Sequence, residues 1–108
     1  MSDVATIRCL NDKFRRSLTG GRIMLTAGVQ ALPQSLLAAL LARLKAFEAF
    51  TDDNDPHGEH DFGAIDLEDQ KYFFKIDYYD PNLRQGSEDP ADPAKTVRVL
   101  TLMRADEY

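Results

Sequence analysis

Phe62-Gly-Ala-Ile-Asp-Leu67 and Lys71-Tyr-Phe-Phe-Lys-Ile-Asp-Tyr-Tyr79 are parted only by Glu68-Asp-Gln70, and these two runs decide the fold. In the second, Tyr72, Phe74, Ile76 and Tyr78 fall on one face, and Phe73, Lys75, Asp77 and Tyr79 on the other. Alternation with a period of two across a short polar connection reads as a β-hairpin. Downstream, Asp80 to Ala94 is a long polar segment holding Pro81, Pro90 and Pro93, and loops of that length are usually functional or disordered. Thr96 to Met103, with Val97, Val99 and Thr101, closes the chain as a β-branched strand.

Upstream lie the helices. Pro33 suits the first position of a helix, where its missing N–H costs nothing. From there to about Ala49, Leu36, Leu37, Leu40, Leu41, Leu44 and Phe47 form an apolar stripe at helical spacing, most simply the core's main packing element. Such a stripe can also serve a homodimer. Arg22 to Thr26, bounded by Gly21 and Gly28, reads as a short strand. Ile7, Leu10 and Phe14 mark a first helix from Asp3 to Ser17, capped by Ser2 or Asp3 and ended by Gly20-Gly21. The order α-β-α-β-β-β predicts an α+β fold: an antiparallel sheet of about four strands with two helices on one face. At 108 residues there is room for a single domain, 1–108.

Composition narrows the class. The apolar fraction of 44% is that of an ordinary globular chain, and no run approaches the roughly 20 apolar residues a bilayer requires. The first twenty residues include Asp3, Asp12, Lys13, Arg15 and Arg16, so no leader is expected there. With one cysteine, Cys9, an internal disulfide is excluded, and a cytoplasmic protein is expected. Cys9, in a helix beside core positions, is expected to be buried rather than nucleophilic. The net charge of −5 conceals a separation: residues 1–50 carry +4 and residues 51–108 carry −9. Acidity opposes direct nucleic-acid binding despite Lys13, Arg15, Arg16 and Arg22, and no phosphate-binding glycine loop is present.

Chemistry, if there is any, belongs to Thr51-Asp-Asp-Asn-Asp-Pro-His-Gly-Glu-His-Asp-Phe-Gly63. Both histidines, His57 and His60, stand there among Asp52, Asp53, Asp55, Glu59 and Asp61. Imidazole and carboxylate are the ligands of a borderline divalent cation, which makes His57, His60 and Asp61 metal candidates. No standard motif fits: His-Gly-Glu-His is not the zincin spacing, and a calcium loop begun at Asp53 meets Ala64 where a bidentate Glu is needed. A structural reading competes, in which Asp52, Asn54 and Asp55 hold turns through their side chains and the histidines bond neighbouring carboxylates. Asp77, if the hairpin returns beside this loop, would orient a histidine ring.

Two functions follow. In the first, the chain is a non-catalytic acidic binding protein whose Asp52, Asp53, Asp55, Glu59 and Asp61 meet a protein partner with a basic surface. In the second, it is a metal-dependent hydrolase or other enzyme built on His57 and His60, with Glu59 or Asp61 as general base.

Thr19-Gly-Gly-Arg22, Leu25-Thr-Ala-Gly-Val29, Asn54-Asp-Pro-His-Gly-Glu-His-Asp-Phe-Gly63, Lys75-Ile-Asp-Tyr-Tyr-Asp80 and Val99-Leu-Thr-Leu-Met103 resemble a family of small proteins of unknown function, domain-of-unknown-function family 3768. The resemblance spans nearly the whole chain. It implies a bacterial protein of a kind often carried on mobile elements, and it brings no catalytic residue. That context favours an accessory factor acting on a host defence or nucleic-acid-handling protein, of the anti-restriction or anti-CRISPR type.

Overall fold

The computed structural model describes residues 3–108. Helix α1 (Val4–Ser17) leads to strand β1 (Arg22–Leu25), a short helix α2 (Ala27–Gln30) and helix α3 (Gln34–Lys45). Strands β2 (Phe62–Leu67), β3 (Gln70–Tyr79) and β4 (Val97–Arg104) follow, with single 3₁₀ turns at Pro93–Lys95 and Ala105–Glu107.

The hairpin forms as expected, in a register that pairs Leu67 with Gln70 and leaves Glu68-Asp69 as its turn. Both turn residues have positive φ, 48° and 64°. A two-residue connection needs that geometry to match the twist of its strands.

The sheet order is β1-β4-β3-β2, and the sheet is mixed, which corrects the antiparallel expectation. β2 with β3 and β3 with β4 are antiparallel, whereas β1 lies parallel to β4. Topology gives the reason. Helix α3 carries the chain back between β1 and β2, so both run the same way, and two hairpin reversals then return β4 to that direction. When β1 fills the free edge of β4, it can only be parallel.

Among the described residues the helix count is also corrected, from two to three. After β1 the chain turns straight into α2, with the Thr26 carbonyl accepting the Gln30 N–H at 2.9 Å. The α3 stripe is real, with Leu40 and Leu44 fully buried, but the helix stops at Lys45 rather than Ala49. Tertiary contacts end it. The Phe47 carbonyl accepts a bond from Arg15 Nη2 at 3.0 Å, and the Phe47 ring packs edge-on to Phe74 and Phe50. These rings press on a glycine: a Cβ at Gly63 would collide with Phe74 and with Phe47.

Helix α1 begins one residue later than expected, and Asp3 makes no side-chain cap bond. Ser2, the other expected cap, lies outside the described residues. Its buried stripe is Ile7, Asn11, Phe14 and Arg15. Cys9 is exposed, contrary to expectation, because it points away from that stripe. Tyr72, Phe74, Ile76, Leu100 and Leu102 line the inner face of the sheet against α1 and α3, as the alternation predicts. Among the described residues no helix is long and apolar enough to cross a membrane.

Candidate functional site

Asn11 and Arg15 occupy positions on α1 that face the core, and both are fully buried. Polar groups in such places are ordinarily hydrogen-bonded, and a buried cation needs more than one partner; among Arg15's nitrogens both Nη atoms find one, whereas the buried Nε does not. Asn11 and Arg15 each nucleate a network that fastens the Thr51–Gly63 loop to the body of the protein.

The first network centres on Asn11. Arg98, at the start of β4 and 5% exposed, donates from Nε to Asn11 Oδ1 at 2.7 Å. Asn11 Nδ2 in turn reaches the Tyr78 hydroxyl at 2.8 Å and the Glu59 carbonyl at 3.0 Å. The Tyr78 hydroxyl donates to Glu59 Oε1 at 2.7 Å. Arg98 Nη2 donates to the Pro90 carbonyl, and its guanidinium lies over the Tyr78 ring, 5.2 Å from the centroid. Burial and the bond to the Glu59 carboxylate push the Tyr78 phenol far above its ordinary pKa, so it remains a donor. Burial lowers the Arg98 pKa, with the Glu59 carboxylate opposing.

The second network centres on Arg15. Its Nη1 donates to Asp12 Oδ1 at 2.9 Å, and its guanidinium lies 5.2 Å from the centre of the Phe50 ring. On that ring His60 stacks flat, 3.8 Å between centroids and 2° between planes. His60 Nδ1 meets Asp12 Oδ1 at 2.9 Å, while Asp55 Oδ1 accepts the His60 backbone N–H at 3.1 Å. His60 has φ of 57°, a left-handed backbone that these bonds and the stack hold in place. Burial by itself would raise the Asp12 pKa, but the bonds from Arg15 and His60 outweigh it and the net shift is downward.

The expected site residues therefore divide. Asp52, Asp53 and His57 are exposed. Asp55 is buried and Glu59 half-buried, and both hold the loop together through the bonds above. Asp61 is half-buried; its carbonyl accepts the Ile76 N–H at 2.8 Å, and burial followed by the Glu59 charge raises its pKa. Of the turn-forming side chains, Asn54 accepts the Thr51 N–H at 3.0 Å, and Asp55 acts as described. No cluster of three or more His, Cys, Asp or Glu able to hold a metal ion occurs among the described residues. Asp77 does not reach the histidines. It lies on the opposite, helix-free face of the sheet and pairs with Lys75 at 3.3 Å.

Sequence reasoning missed Asn11, Arg15 and Arg98. A signal existed, since Asn11 and Arg15 are spaced by four and fall on the stripe begun by Ile7, but polar residues on a helix are ordinarily assigned to its wet side.

The chain is thus a two-layer α+β sandwich whose polar interior anchors its irregular segments. It belongs to the family described as protein of unknown function (DUF3768), whose model matches residues 25–107. No curated protein and no solved structure matches it.

Proposed function

We propose that this chain is a non-catalytic acidic binding protein that meets a basic surface on a protein partner. One observation carries the reading: Asn11 and Arg98 tie two acid-rich segments, far apart in sequence, to the same end of the sheet. Glu59 holds the Thr51–Gly63 loop to Asn11, and Pro90 holds the Asp80–Lys95 segment to Arg98. The first segment offers Asp52 and Asp53 to solvent and the second Glu88, which Lys95 pairs at 3.6 Å, with Asp80, Asp89 and Asp92 half-buried behind. Preorganised like charges at one end of a small domain steer a basic partner and reject acidic ones.

In concrete form the partner is a nucleic-acid-handling or defence protein in the cytoplasm of a bacterium, and the acidic end occupies the groove that would hold a phosphate backbone. The mobile-element context implied by the family resemblance supports that form.

The test is capture of partners from nuclease-treated bacterial lysate with the wild-type chain and with the triple variant Asp52→Lys, Asp53→Lys, Glu88→Lys. Asp55 and Glu59 are left intact because they hold the loop. A stoichiometric partner lost with the triple variant, whose circular dichroism and melting match wild type, is the expected result. A partner retained by that variant would remove the acidic end from the interaction.

A further inference from the structure

The face of the sheet away from the helices mixes apolar and charged side chains. An antiparallel sheet with one wet face normally alternates apolar-in and polar-out. On β4, however, the outward positions are Val97, Val99, Thr101 and Met103. At the β2 side this surface is partly roofed by the chain's own end, where Tyr108 meets Phe62 and Phe73 at 5.8 and 5.5 Å between ring centres. Over β1, β4 and β3 it is open. There a groove of about 540 Å³ is lined by Arg22, Met24, Asp77, Tyr79, Val99 and Thr101 among others. Met24 is 53% exposed within it.

We propose that this open face is covered by a second copy of the same chain, in a two-fold symmetric dimer. The strand register supplies the reason. Arg22 of β1 pairs with Val99 of β4, and Val99 pairs on its other side with Asp77 of β3. Arg22 and Asp77 therefore lie at one level, flanking the central strand. A two-fold axis lying between two such faces and running along β4 carries the β1 side of one copy over the β3 side of the other. That operation sets each Arg22 against the Asp77 of the second copy, so one self-complementary contact forms twice. One step along, Met24 and Lys75 both flank Thr101, so the same operation lays the Met24 side chain along the Lys75 stem. Strands in the two sheets then run nearly parallel, as in aligned sheet packing.

The charges are available for this role. Among the described residues Arg22 makes no side-chain hydrogen bond or ion pair, and Asp77 is paired only with Lys75, both about 40% exposed. The surface is mixed in sign, unlike the acidic end of the molecule, which would repel its own copy. Leu83 of the Asp80–Lys95 segment also lines the groove, but Asp52, Asp53 and Glu88 do not, and the dimer does not depend on the function proposed above.

Three strands give a modest contact area, so the dissociation constant is expected on the order of 10 µM. Sedimentation equilibrium across a concentration series around that value measures it. Arg22→Asp alone and Asp77→Arg alone each place like charges in contact and should weaken the dimer by about tenfold or more. Combining Arg22→Asp with Asp77→Arg restores the pairing in reversed sense and should recover much of the affinity. Thermal unfolding of each variant confirms that the monomer is intact, and Val99→Lys provides an independent break at the centre of the face. A wild-type chain that stays monomeric throughout overturns the proposal. So does a dimer indifferent to both single reversals, or one that the combined variant fails to rescue.

Discussion

Along β4, Arg98, Leu100 and Leu102 turn toward the helices and are buried, whereas Val97, Val99 and Thr101 turn the other way and are only half-buried. Adjacent residues of one strand thus belong to two different surfaces. The inner one is closed by α1 and α3 and carries the stability of the fold. The outer one is open over β1, β4 and β3, where Met24 and Val99 lie among Arg22, Lys75 and Asp77, and it is the surface proposed above to meet a second copy. The comparison teaches that apolar residues in a strand do not by themselves identify a core; the helices decide which side becomes one.

The contrast is sharpest at the neighbours Leu100 and Val99. Leu100 is fully buried, so Leu100→Ala should cost about 3 kcal/mol by loss of burial and creation of a cavity. Val99→Ala should cost less than about 1 kcal/mol in the monomer, because little is enclosed there. Urea unfolding of both variants below the dimerisation range checks this, and equal losses would erase the distinction between the faces.

A smaller effect is expected at the polar end of the inner face. Asn11→Ala leaves Arg98 Nε, the Tyr78 hydroxyl and the Glu59 carbonyl each short of a partner, at a cost of about 2 kcal/mol. Because Asn11 links the two acidic segments, hydrogen exchange should quicken in both the Thr51–Gly63 loop and the Asp80–Lys95 segment. Quickening in one alone would mean that the two are anchored separately.

The smallest effects are those of pH, and they carry opposite signs. The Asp12 pKa is lowered in the folded chain from the ordinary value of 3.8, so its contribution is present above that value and lost as pH falls through the folded pKa. The Asp61 pKa is raised from 3.8, so its proton stabilises the fold in acid and stability falls as pH rises through the folded pKa. Asp12→Asn should therefore be less stable than wild type at neutral pH, and Asp61→Asn more stable. Both differences should shrink in acid as the wild-type carboxyls take up protons. Melting temperatures across that range decide it, and two shifts of the same sign would contradict the assigned environments.

Much of the architecture is legible in the chain because it rests on local rules. Period-two alternation in Lys71–Tyr79, the leucine stripe after Pro33 and the Gly20-Gly21 break each follow from backbone geometry and the burial of apolar groups within a few residues. The cluster of histidines and acids in Thr51–Gly63 was visible too, as was the capacity of Asn54 and Asp55 to hold turns. What could not be read was which of those groups turn inward. His60 is fixed by Phe50 and Asp12 and Glu59 by Tyr78, all partners beyond the next few residues, while Asp52, Asp53 and His57 in the same loop stay in water.

The sequence by itself determined the strands, the hairpin, the long helices and the separation of charge, since propensity, periodicity and ionisation are properties of neighbouring residues. Only the tertiary structure decided the parallel placement of β1, the end of α3 at Lys45, the burial of Asn11, Arg15 and Arg98, and the level shared by Arg22 and Asp77. Each of these depends on contacts between distant segments, whose energies exceed local preference once the helices have chosen a face of the sheet.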